Sequence, residues 1–396
     1  MTVLTATRNR IASIDLLRGV VMVIMALDHT RDFFHVDAFM HNPLDLKTTT
    51  PILFFTRWIT HFCAPVFLFL SGMSAYLMGL KKTKKELSGF LIKRGLWLVF
   101  IEVVVITFAF TFNPLYNTII LQVIWAIGVS MIILGILVYL PFRIILIIGC
   151  IIVFGHNLLD YPEAANNQKV GLLWEFVHHG NFTFINYAPN HVIAIIYAFL
   201  PWTGIMIMGY CMGKIFSPSF SSAQRRKILL YLGSGLILFF ILIRWVNRYG
   251  DPVPWSVQSD SVRTFLSFIK VNKYPPSLMY TAMTLGPALI FLALTENTQN
   301  RITSIFSVYG RVPFFYYVIH FYIIHLLSMA GFFLTGCGTK DIVTPNFPFF
   351  FRPPQFGFQL WVVYVVWIFV VLILYPVCRW YDRYKSTHRQ WWLSYL

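Results

Sequence analysis

The residues best suited to chemistry are packed into the first predicted helix. In RIASIDLLRGVVMVIMALDHTRDFFH (10–35), nine uncharged residues separate Arg18 from Asp28, too few to cross a bilayer alone. Charged groups inside a span are costly, about 2.5–3.5 kcal/mol each on insertion scales, so Asp15, Arg18, Asp28 and His29 are expected to face a bundle interior. Asp15 and Arg18 are three apart and pair on one face. Arg18 and His29 are eleven apart, which returns to within about 20° of one stripe and separates them by about 16 Å. One helix thus carries a cation near one membrane surface and an Asp–His pair near the other. Beyond it come Arg31, Asp32 and His35, then His41, Asp45 and Lys47, a dense set of proton-transfer groups. In FFTRWITHFCAP, Arg57, His61 and Pro65 recur at i, i+4, i+8 and are expected on one helix face, with His61 about two turns below the outer surface.

Other polar groups in apolar runs carry weaker signals. Glu102 is expected to pair with Lys93 or Arg94, or with the histidines. His320 lies mid-span, four residues after Tyr316, and fits either a buried His–Tyr hydrogen bond or a pocket role. In IKVNKYPPS (269–277), Lys270, Lys273 and Tyr274 precede a double proline that opens a helix, which reads foremost as a stiff turn and second as an anion site. The chain contains no Gly-rich phosphate loop, GxSxG or HExxH. His178 and His179 are adjacent and cannot share a helical face, and acids are sparse, so no metal centre is expected. Cys63, Cys150, Cys211, Cys337 and Cys378 form no CxxC pair.

The elements that must position these groups follow from composition. Of 396 residues, 58% are hydrophobic and 12% charged, against roughly 45–50% and 25% in soluble chains. The expected fold is all-α and polytopic, one unit over 1–396 with about ten transmembrane helices in one bundle. The candidate spans are 11–30, 51–79, 95–113, 117–140, 142–158, 191–213, 228–246, 277–295, 312–335 and 359–379. A strand reading is set aside because the runs are continuous and open edges do not survive in hydrocarbon. With both termini inside, 20 of the 31 basic residues, Arg8, Arg10 and Arg389 among them, fall on the inner side although the outer loops are longer. The positive-inside rule therefore places both termini in the cytoplasm. The same rule absorbs the net charge of +16, which elsewhere suggests nucleic acid. Residues 1–10 are polar and lead straight into the motif-bearing helix, so no cleavable signal peptide is expected. The location expected is the plasma (inner) membrane; the partners are the lipid bilayer and small molecules, with a homodimer as one open assembly.

SIDLLRG (13–19), DHTRDFFH (28–35) and APVFLFLSG (64–72), with FLPWTGIMIMGYCMG (199–213), KYPPSLMYTAMTLGPALIF (273–291) and GRVPFFYYVIHFYIIH (310–325), resemble the transmembrane acyltransferases related to heparan-α-glucosaminide N-acetyltransferase, in particular their bacterial multi-pass branch. The resemblance implies acetyl transfer across a membrane, from cytoplasmic acetyl-CoA to an amine or hydroxyl of an extracytoplasmic glycan. At the outer end of the first helix the lysosomal member carries Asn where this chain has His29. For the catalytic His of the following loop, His35 matches by its Phe-x-His context and His41 by distance. On this reading Arg18, with Arg94 or Arg311, receives the CoA phosphates. His35 or His29 is the general base, oriented by Asp28 or Asp32, and His61 polarises the carbonyl. A proton-coupled transporter or flippase is the alternative that buried Asp, His and Arg also fit.

Overall fold

The computed structural model describes residues 11–180, 182–345, 347–388 and 390–394. Arg8, Arg10 and Arg389, and the signal-peptide expectation for residues 1–10, lie outside them. Each predicted apolar run contains a helix. In chain order the helices used below are α1 (Ala12–Phe34), α2 (Pro51–Ile59), α3 (Cys63–Gly79), α4 (Lys84–Ile101), α5 (Val123–Leu137), α6 (Phe142–Gly155), α7 (Phe199–Met212), α8 (Ser222–Val246), α9 (Leu278–Leu294), α10 (Arg301–Arg311), which lies between two predicted runs, α11 (Pro313–Leu334) and α12 (Leu360–Thr387). Five segments, Pro51–Gly79, Phe142–Ala165, Ser222–Val246, Pro313–Leu334 and Leu360–Thr387, are long and apolar enough to cross a membrane. Large apolar side chains such as Leu238, Trp245, Trp361 and Leu372 stay exposed on α8 and α12, as expected of surfaces facing lipid rather than water.

Two expectations are corrected. The fold is mostly but not wholly helical: Thr118–Leu121, Thr183–Ala188 and His191–Ile195 form a three-stranded sheet, the first parallel to the third and the second antiparallel to it. Two of these strands, TIIL and HVIAI, occupy the starts of the predicted spans 117–140 and 191–213. β-Branched residues suit a pleated surface, and the central strand, His191–Ile195, is paired on both edges. The second span is also not one helix. A 3-10 turn at Thr60–Phe62 separates α2 from α3, so Arg57 and His61 do not follow one uninterrupted α-helical face.

Helix pairing is set by reciprocal glycine contacts. A Cβ added at Gly19 of α1 would lie 1.9 Å from the Phe306 carbonyl oxygen, and one at Gly310 of α10 would lie 1.8 Å from that of Asp15. Gly72 of α3 and Gly209 of α7 meet opposite backbone in the same way, each 2.0 Å from a carbonyl oxygen. Gly95 with Gly128 joins α4 to α5, and Gly233 with Gly286 joins α8 to α9. Where lipid supplies no hydrophobic drive between helices, such close backbone approach gives the van der Waals contact that holds them together.

Candidate active site

α1 carries most of the site because its polar residues point into the bundle at two levels. At its start, Arg18 donates to Asp15 (3.3 Å), to the Gly310 carbonyl (3.2 Å) and to Ser74 Oγ (3.2 Å). Arg311, next to Gly310, donates to Asp382 at 2.8 Å, and Arg94 lies over the Phe314 ring at 5.8 Å. The three arginines expected to receive an anionic ligand therefore gather around the α10–α11 junction. Glu102 is not among their partners. It is fully buried and accepts the Gln122 backbone N–H (2.7 Å) at the start of α5. A carboxylate over a helix N-terminus satisfies orphan donors there, which corrects the expected pairing with Lys93 or Arg94.

At the other level, Asp28 forms an ion pair with Arg57 of α2 and a second with Arg31 at 3.1 Å, while Arg31 also holds Asp32 at 2.5 Å. Arg57 continues to Thr60 Oγ (3.4 Å) and to the Tyr274 hydroxyl (3.4 Å). Among the described residues His61, 1% exposed, has no hydrogen-bond partner at either ring nitrogen. Its carbonyl accepts from Tyr280, whose ring lies 5.3 Å away. The short 3-10 turn brings His61 to the level of Arg57 and Asp28 and leaves its ring unclaimed.

His29, only half-buried, stacks on Phe321 and on His320 of α11. Its Nδ1 is 2.7 Å from His320 Nε2, and His320 Nδ1 is 3.1 Å from the Tyr316 carbonyl. A carbonyl only accepts, so His320 carries its proton on Nδ1. In the neutral pair, His320 Nε2 then accepts from His29 Nδ1–H. His29 Nε2 is left with a bare lone pair, the form a general base requires. The sequence pointed to the Tyr316–His320 contact but not to the His29–His320 pair, because no spacing links residues 291 positions apart.

The remaining candidates lie elsewhere. His35 caps α1, with its carbonyl held by Arg352 (2.8 Å); Asp37, Arg31 and Arg352 are the charges that act on it, and burial lowers its imidazole pKa. His41 is exposed in the loop beyond. A cavity of about 620 Å³ is lined by Asp160, Glu163, His179, Arg248, Asn272 and Tyr274, among others. Tyr274 also touches Arg57, so this cavity meets the buried polar cluster at one residue. Asp160, Glu163 and His178 bring ligand atoms within 4.8 Å of one another, a grouping the sequence concealed because they are separated in the chain. Glu163 accepts from His178 (2.7 Å) and from Trp174 (2.6 Å).

The loop carrying Lys273 and Tyr274 is fixed by Arg244, 2% exposed, which donates to the carbonyls of Phe268 (3.0 Å), Val253 (2.9 Å), Ser267 (3.3 Å) and Lys270 (2.6 Å). Burial pushes the nearby Asp251 carboxyl upward, while Arg244, Asn272 and Ser277 pull it down. Removing Arg244 leaves four carbonyls without their donor, that of buried Ser267 among them, so Arg244→Ala is expected to destabilise by about 1–3 kcal/mol. A melting-temperature drop with loss of loop protection in hydrogen exchange checks this.

Apolar helices built around a buried cluster of ionisable groups define a helical membrane protein with a polar site inside its bundle. Residues 10–242, more than half of the chain, match the family described as heparan-alpha-glucosaminide N-acetyltransferase, catalytic, and the chain belongs to that family. No curated protein matches it.

Proposed function

We propose that the protein is a membrane-embedded acetyltransferase that takes an acetyl group from cytoplasmic acetyl-CoA and delivers it to an amine or hydroxyl of an extracytoplasmic glycan. The observation that carries this reading is the His29–His320 pair, which leaves His29 Nε2 unprotonated beside the Asp28–Arg57 cluster. The arginines around Arg18 suit the phosphates of the donor, about 16 Å along α1 from His29. The outer cavity ending at Tyr274 suits an acceptor arriving from the opposite side. In this reading the chain is one unit of about ten crossings in the plasma membrane with both termini in the cytoplasm. Of the expected bases, His29 has the geometry for the role, while His35 has its backbone tied to Arg352 away from Asp28.

The test is acetyl transfer in proteoliposomes. Labelled acetyl-CoA supplied on the side of the basic loops is expected to label an amino sugar on the opposite side and to release free CoA. Movement of solute with no consumption of acetyl-CoA would instead establish the transporter.

A further inference from the structure

Lys273 is the buried cation that the cluster leaves over. It is 8% exposed and lies between the rings of Tyr197 (5.9 Å) and Tyr274 (5.0 Å). Among the described residues no carboxylate lies within ion-pair distance of it; its hydrogen bond goes to the Tyr274 side chain. The other charges are already matched among themselves: Asp28 is shared by Arg57 and Arg31, and Asp32 is held by Arg31. Counting these groups, three cations face two carboxylates, so the cluster carries one uncompensated positive charge in a place where desolvation makes that costly. Four residues on from Arg57, which bonds the Tyr274 hydroxyl, His61 is 1% exposed and neither ring nitrogen has a partner among the described residues. A stiff turn explains the prolines at 275 and 276 but not why an ammonium is folded inward.

We propose that the Lys273 ammonium and the His61 imidazole form the site that receives the negative charge developing on the acyl carbonyl oxygen during transfer. This assignment rests on the acetyltransferase reading above. A thioester carbonyl is neutral when bound and anionic in the tetrahedral intermediate, so the cluster becomes charge-matched only along the reaction. That is where stabilisation accelerates a step rather than merely tightening binding. The step balances as follows. The acceptor nitrogen or oxygen bonds to the carbonyl carbon, and the carbonyl π pair moves onto oxygen beside Lys273 and His61. The acceptor proton passes to His29 Nε2. Collapse re-forms the carbonyl and breaks the C–S bond, and the His29 proton goes to the departing thiolate.

The experiment uses the purified full chain, acetyl-CoA as donor, and either glucosamine or water alone as acceptor, with release of free thiol as readout. Lys273→Met is expected to lower kcat about 100- to 1000-fold with KM for acetyl-CoA and for glucosamine within about twofold, and Lys273→Arg to recover about tenfold or more. His61→Gln is expected to follow the same kcat-only pattern, and serves as the test if Lys273→Met fails to elute as a folded species. Unchanged kcat in the folded variants overturns the assignment. A raised KM for glucosamine at unchanged kcat also overturns it and makes Lys273 a ground-state binding residue. Wild-type protein that consumes no acetyl-CoA overturns the acetyltransferase reading as well, whereas wild-type turnover with an unaffected Lys273→Met overturns this assignment alone.

Discussion

His29→Ala is expected to lower kcat for acetyl transfer by about 10²–10⁴-fold, the usual worth of a positioned general base. The argument lies in one chain of hydrogen bonds: the Tyr316 carbonyl fixes the proton of His320, and His320 fixes that of His29. A base prepared in this way loses its function when the imidazole is removed but only its orientation when its partner is changed. His320→Gln, which keeps an acceptor near His29 Nδ1, is therefore expected to cost less than His29→Ala and to leave KM for acetyl-CoA unchanged. Steady-state thiol release with detergent-purified protein measures both. Equal, small effects of His29→Ala and His41→Ala would show that the base lies elsewhere.

Gly310→Val is expected to abolish folding, with a loss of about 4 kcal/mol or more, in the range reached only when buried backbone must move. Even a single methyl at Gly310 would sit 1.8 Å from the Asp15 carbonyl oxygen, and the opposing Gly19 admits no atom on its side. No rotamer relieves an overlap with main chain. The helices would have to part, breaking the Arg18 contact to the Gly310 carbonyl as they did so. Gly89 and Gly235 provide the control, since a Cβ there meets nothing within 4 Å. Alanine at either helical position is expected to be neutral or to stabilise by about 0.5–1 kcal/mol. Monodispersity and melting temperature in mild detergent distinguish the two classes; a well-folded Gly310→Val would overturn the packing argument.

The apolar runs disclosed the helices because hydropathy over about 20 residues is a strong signal. The pairing of Asp15 with Arg18 was also legible, being local to one turn. The strands at 118–121 and 191–195 were hidden because a short apolar β-branched run beside a helix looks like more helix. Glu102 misled for another reason: the nearest cations in sequence, Lys93 and Arg94, lie nine and eight residues back, whereas its partner is a backbone N–H twenty residues on. Of the site, α1 displayed Asp28 and His29, and His320 and Lys273 stood out singly, but the His29–His320 pair became visible only when α11 folded back against α1. The glycine seams were illegible for the same reason, since each member stands alone on its helix.

The change of pitch at Thr60–Phe62 gives the second span two independent masters. Below it, α3 is clamped to α7 through Gly72 and Gly209; above it, α2 answers to Asp28 and Tyr274 through Arg57. Adding or deleting one residue in that joint would swivel Arg57 by about 100° while the lower half kept its grip. Variation confined to this joint would therefore re-aim Arg57 relative to Asp28 and Tyr274 without rebuilding the scaffold beneath.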